Sequence, residues 1–173
     1  NSFVSNNVML GFCIAIGNTL EAAVACLLII RFASVKPFDK ISHTIVFIFS
    51  LLLASLISAS IGVTSLLITE TITKTDFYLL WNTWWIGDFV GGLVLTPFII
   101  TWKNLPKLNF SPSKLIEGGA LFISTIFIIK VIFSPWQYSV FFEELIIFSL
   151  LPLISWAAFR FHHHGATLLV LIV

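Results

Sequence analysis

Residues 43–69, HTIVFIFSLLLASLISASIGVTSLLIT, contain no Asp, Glu, Lys or Arg. The run exceeds the roughly 20 residues that an α-helix needs to cross about 30 Å of hydrocarbon. Its solvent is therefore lipid, and the chain on either side repeats the pattern. Apolar runs of spanning length extend from Val8 to Arg31, Tyr78 to Trp102, Leu115 to Phe133 and Leu145 to Phe161, and another begins at Gly165. The expected fold is all-α, a polytopic integral membrane helical bundle of five full spans and a truncated sixth. The composition agrees: of 173 residues 58% are hydrophobic and 10% charged, against about 45–50% and 25% in soluble domains. Mean hydropathy is +1.06.

The breaks between runs hold most turn formers and charges: Lys36-Pro37-Phe38-Asp39-Lys40, Glu70 to Asp76, Lys103 to Ser113, Ser134-Pro135 and His162 to Gly165. Ser111 suits an N-cap with Pro112 at the first helical position, and Asp76 suits the cap of the third span. The chain opens at Asn1-Ser2-Phe3 without a signal peptide and closes inside an apolar run, so residues 1–173 read as one membrane domain cut at both ends. Cys13 and Cys26 lie about 19 Å apart along one helix and cannot bridge.

Nine Lys and Arg against eight Asp and Glu leave a net charge of +1, which gives no basic surface for nucleic acid. The distribution is more informative than the sum. The odd breaks hold Arg31, Lys36, Lys40, Lys103, Lys107, Lys114 and Arg160, whereas the even ones hold only Lys74 and Lys130. The positive-inside rule then makes the odd loops cytoplasmic and puts Asn1 outside. Returning both termini to the cytoplasm adds a span at each end, about eight in the intact domain.

Two carboxylates interrupt the lipid-compatible runs. Glu21 lies 13 residues in from Val8 and Asp88 lies 10 in from Tyr78, which sets both about 15–20 Å below the outer face on helices running the same way. A carboxylate at that depth costs on the order of 3 kcal/mol on insertion scales. All nine Lys and Arg fall at span ends or in loops, so the acids need polar side chains, a shared proton or something bound. Two readings stay open: a structural hydrogen bond, or a proton, cation or ligand site.

Helical periodicity arranges their surroundings. On the first span Gly11, Ala15, Asn18, Ala22 and Ala25 form a stripe with Glu21 on its edge. On the third, Trp81, Trp84, Trp85, Asp88, Gly91, Gly92 and Leu95 share one arc. The tryptophans read either as an outer aromatic belt or as a wall facing a ligand. Ala54, Ser58 and Gly62 form a ladder of small positions on the second span, so spans one to three should pack closely. Gly87, Gly91 and Gly92 read as packing residues and Pro97 as a kink. His162-His163-His164 reads as a solvated cytoplasmic turn rather than a metal site, since three consecutive His cannot face one ion from a helix. No cofactor motif is present, and HExxH, GxSxG, Walker, CxxC and GxGxxG patterns are absent. The expectation is a non-enzymatic membrane domain.

Three motifs resemble one family. Gly17-Asn18-Thr19-Leu20-Glu21-Ala22 with Leu28 to Phe32, then Trp84-Trp85-Ile86-Gly87-Asp88 through Gly91 to Thr96-Pro97, then Leu151 to Phe161 followed by Gly165-Ala166, are similar in order and spacing to the membrane-associated sensor domain, type one (MASE family). The His162–His164 triplet departs from the short Gly, Pro or basic turn of that family. The resemblance implies a sensory input domain in a bacterial plasma (inner) membrane, fused at its cytoplasmic end to an output domain of histidine kinase or diguanylate cyclase/phosphodiesterase type. Two-component or cyclic di-GMP signalling would follow, with a homodimer admitted by analogy. The alternative from another class is an ion- or proton-coupled transporter that uses the same midplane carboxylates.

Overall fold

The computed structural model describes residues 2–33, 38–103, 111–133 and 146–173, with side chains from Val8 onward. Lys36, Pro37, Lys107, Ser134, Pro135, Glu143 and Glu144 lie outside the described residues. Five helices follow in order: α1 Ser2–Phe32, α2 Ile41–Ile68, α3 Phe77–Trp102, α4 Pro112–Ile132 and α5 Leu150–Ile172. All five are long and apolar enough to cross a membrane, as the hydropathy pattern predicts, and the described residues include no strand.

The helix ends obey local chemistry. α2 stops in a Schellman motif: Glu70 adopts φ 55°, its N–H donates to the Leu67 carbonyl, and the Thr71 N–H reaches back to Leu66. Ser111 precedes Pro112 in the N-cap position of α4, as expected, but makes no side-chain cap bond. Asp76 accepts the first helical bond of α3 through its carbonyl, from Leu80, while its carboxylate takes a hydrogen bond from Thr73. α3 continues through Pro97, whose missing N–H deprives the Leu93 carbonyl of its helical donor.

The chain forms two compact units that divide inside α3, between Leu93 and Val94. In the first, Phe47, Leu51 and Ala54 of α2 bury against Ala25 of α1, with Val24, Ile29, Phe89 and Leu93 around them. Small residues let the backbones approach: Ala54, Ala59 and Val63 have no exposed surface. Hydroxyls in this core turn back onto their own helix, Ser50 onto the Val46 carbonyl and Ser65 onto Ile61. This hides in lipid a donor that water cannot reach. The outward faces, such as Ile86 and Val90, stay apolar and exposed, as lipid-facing surface must be.

The second unit centres on Leu121, Ala157 and Leu169, lined by Leu153, Ile154 and Phe161. α5 is two helical pieces joined at His162, which has φ 55° and ψ −148°. The chain bends back so sharply that a Cβ on Gly165 would lie 2.9 Å from the Ala157 carbonyl oxygen and collide with Phe161 Cβ. In a straight helix residues 157 and 165 stand about 12 Å apart. The break falls in the expected His162–Gly165 turn, and the second piece is the start of the sixth run.

Candidate functional site

The polar residues of the first unit converge from three helices. α1 meets α2 through Gly17 and Ala25, both buried; a Cβ on Gly17 would sit 3.3 Å from Ile61. This contact face lies one step round the helix from the expected stripe. Gly11, Ala15 and Ala22 are exposed, because bringing Glu21 inward turns them out. Asn18 stays at the edge, where its Oδ1 accepts a 2.8 Å hydrogen bond from the Ser58 hydroxyl. Ser58 is 1% exposed in the middle of α2.

Glu21 faces both the Ser58 hydroxyl and the Asp88 carboxyl of α3. The two acids of the apolar spans are thus brought together, with a serine between α1 and α3. Asp88 Oδ2 is fully buried and has no hydrogen-bond partner. Ser58 carries a single proton and cannot serve Asn18 and Glu21 at once. Turning the Asn18 amide over would let its NH2 donate to Ser58 and release the serine proton to Glu21.

The tryptophans of α3 reach across to α2. Trp81 Nε1 donates to Ser60 Oγ at 3.2 Å, and Trp85 Nε1 to the Leu52 carbonyl at 3.0 Å, with the two rings 5.5 Å apart. The Trp84 ring covers Gly62, where a Cβ would come within 2.9 Å of it. These rings clamp α2 to α3, and Gly62 makes room for the clamp.

The three signature stretches therefore map onto the α1 face at Glu21, the α3 face at Asp88, and α5 up to its break. A family model for MASE1 matches residues 1–173. The chain belongs to the MASE1 family. MASE1 domains are membrane sensory domains found in signalling proteins. No curated protein and no solved structure matches the chain.

In this MASE1 domain the signature glycines of α3 differ. A Cβ on Gly92 would meet Leu51 at 3.1 Å, so Gly92 packs on α2, whereas Gly87 and Gly91 face open space with no atom within 4 Å. The packing role expected of all three belongs, among these contacts, to Gly92 alone. Ala54, Ser58 and Gly62 are all buried, as their four-residue spacing predicts.

The MASE1 domain also holds an ion pair that the sequence reading missed. Arg160 of α5 grips Glu117 of α4 with two donors, Nη2 to Oε1 at 2.8 Å and Nε to Oε2. The signal was available: Glu117 lies five residues past the start of α4 and Arg160 two before the break in α5, so antiparallel neighbours place them at one level. Beyond the break His164 meets the Trp102 ring edge-on, with centroids 5.6 Å apart. Trp102 Nε1 is buried without a partner. Among the described residues no group of three His, Cys, Asp or Glu converges as a metal site would require, and the His162–His164 triplet instead spans the bend.

Proposed function

We propose that this MASE1 domain is the sensory input of a bacterial signal-transduction protein, and that it passes a signal through its bundle to a fused cytoplasmic output domain of histidine kinase or diguanylate cyclase/phosphodiesterase type. The observation that carries the reading is the convergence of Asn18, Glu21, Ser58 and Asp88 from three helices, with the Asp88 Oδ2 atom left without a partner. Intramembrane ionisable groups mark functional sites by default. A cluster with two ways of arranging its hydrogen bonds gives a bundle two packings of similar energy, which is what a ligand or physical cue needs to bias. Basic residues on the odd loops set the orientation, with Asn1 outside and the membrane the inner one.

The test uses the full-length protein in its native membrane. Glu21→Gln and Asp88→Asn remove charge with little change of shape, so the protein still inserts. Output activity or its response should shift by about fivefold or more, the scale of ordinary allosteric coupling. If both variants keep the wild-type output and response, this site is not the input. Uptake of an ion or solute by the membrane domain alone, with output unaffected, would instead favour the transporter.

A further inference from the structure

The cluster joining α1, α2 and α3 has more acceptors than donors. Glu21 and Asp88 bring four carboxylate oxygens and Asn18 an amide oxygen, against the Asn18 NH2 group and one hydroxyl proton from Ser58, which goes to Asn18 Oδ1. Trp81 and Trp85, aromatic donors two turns and one turn before Asp88, commit their N–H groups to Ser60 and the Leu52 carbonyl. Turning the Asn18 amide over points its NH2 at Ser58, which releases the serine proton to Glu21. Asp88 Oδ2 is buried without a donor.

Among the described residues no basic side chain is one of the groups that act on Glu21. Asp88 is the charged group that acts on Glu21. The other titratable groups on the three packed helices lie elsewhere: Cys13 and Cys26 are about 12 Å and 7.5 Å along α1, with Cys26 exposed. Arg31 is 10 residues from Glu21, His43 is 15 from Ser58 and Tyr78 is 10 from Asp88. The shortage is one donor at one oxygen, and a proton on the facing carboxyl supplies one donor.

We propose that Glu21 holds a single exchangeable proton facing Asp88 and that its occupancy is the cue read by this domain. The proposal rests on the sensory reading above. With the proton bound, Glu21 O–H donates to Asp88 and ties α1 to α3 across Ser58. Once it leaves, as pH rises, two carboxylates face each other in lipid and repel, and the clamp of Trp81, Trp84 and Trp85 on α2 takes the load.

The test is difference infrared spectroscopy on the full-length protein in lipid vesicles, titrated from acid to alkaline pH, with output activity followed in the same preparation. A protonated-carboxyl band should titrate as one group, vanish in Glu21→Gln, and persist at a shifted frequency in Glu21→Asp, which guards against a variant that merely misfolds. The output should move over the same pH range. Absence of a titrating carboxyl band, its survival unchanged in Glu21→Gln, or a change that follows sodium concentration at fixed pH overturns the proton site. A band that titrates while output ignores pH leaves the proton bound but overturns it as the cue, and with it the sensory reading of this site. Output that responds to Glu21→Gln and Asp88→Asn with no titrating band keeps the sensory reading and overturns the proton.

Discussion

Two acids in this domain meet opposite partners. Glu117 of α4 faces the Arg160 guanidinium and receives two hydrogen bonds, while Glu21 of α1 faces another acid, Asp88, one oxygen of which has no partner at all. A carboxylate gripped by a planar fork of donors has one good arrangement. A carboxylate that faces its own kind has several poor ones, and a small change in occupancy chooses among them. The first contact holds helices together; the second is suited to move them.

The largest expected effects come from two glycines that leave no room for a Cβ. Gly165→Ala drives a Cβ into Phe161 Cβ and sets it 2.9 Å from a carbonyl oxygen, and neither can yield without opening the α5 bend. The expected loss is about 3 kcal/mol, the upper end for overpacking. Gly62→Ala meets the Trp84 ring at 2.9 Å, which can slide, so a loss of about 1–2 kcal/mol is expected. Unfolding of the purified domain in mixed micelles measures both. Equal losses would mean that the bend in α5 is as compliant as a side chain.

Removing charge should have opposite signs in the two regions. Arg160→Gln leaves Glu117 facing a neutral partner and lowers the unfolding midpoint, and adding Glu117→Gln should recover part of that loss, the coupling expected of paired groups. Above the pH at which the Glu21 proton leaves, Glu21→Gln removes a repulsion and restores a donor toward Asp88, so the midpoint should hold or rise by the equivalent of about 1 kcal/mol. A fall of the same size as for Arg160→Gln would show that Glu21 has a structural partner and erase the contrast.

How much of this was legible in the sequence depends on the range of the interaction. Span number, the small-residue ladder at Ala54, Ser58 and Gly62, and the break near His162 follow from composition and spacing along one helix, and the structure agrees with them. The rotation of α1 was not legible. Gly11, Ala15 and Ala22 look like a packing stripe, yet the buried face runs through Gly17 and Ala25, because the need to turn Glu21 away from lipid outweighs a row of small residues. Nor was the destination of the tryptophan N–H groups: Ser60 and the Leu52 carbonyl are neighbours only once α2 and α3 are docked.

Signature glycines supply the smallest effect. Gly87 and Gly91 stand one turn apart on α3, and a Cβ added at either would meet nothing within 4 Å, so alanine there adds no clash and removes the helix penalty of glycine. Gly87→Ala and Gly91→Ala should therefore leave stability unchanged or raise it by up to about 1 kcal/mol, whereas Gly92→Ala, with Leu51 at 3.1 Å, should sit between them and Gly62→Ala. The same micelle unfolding assay orders the four. A loss above about 1 kcal/mol at Gly87 or Gly91 would require a neighbour pressed against that face, and the clamp would then have a second side. If the predicted order holds, close approach by α3 in the first unit is confined to its α2 side, where the tryptophan N–H groups already point.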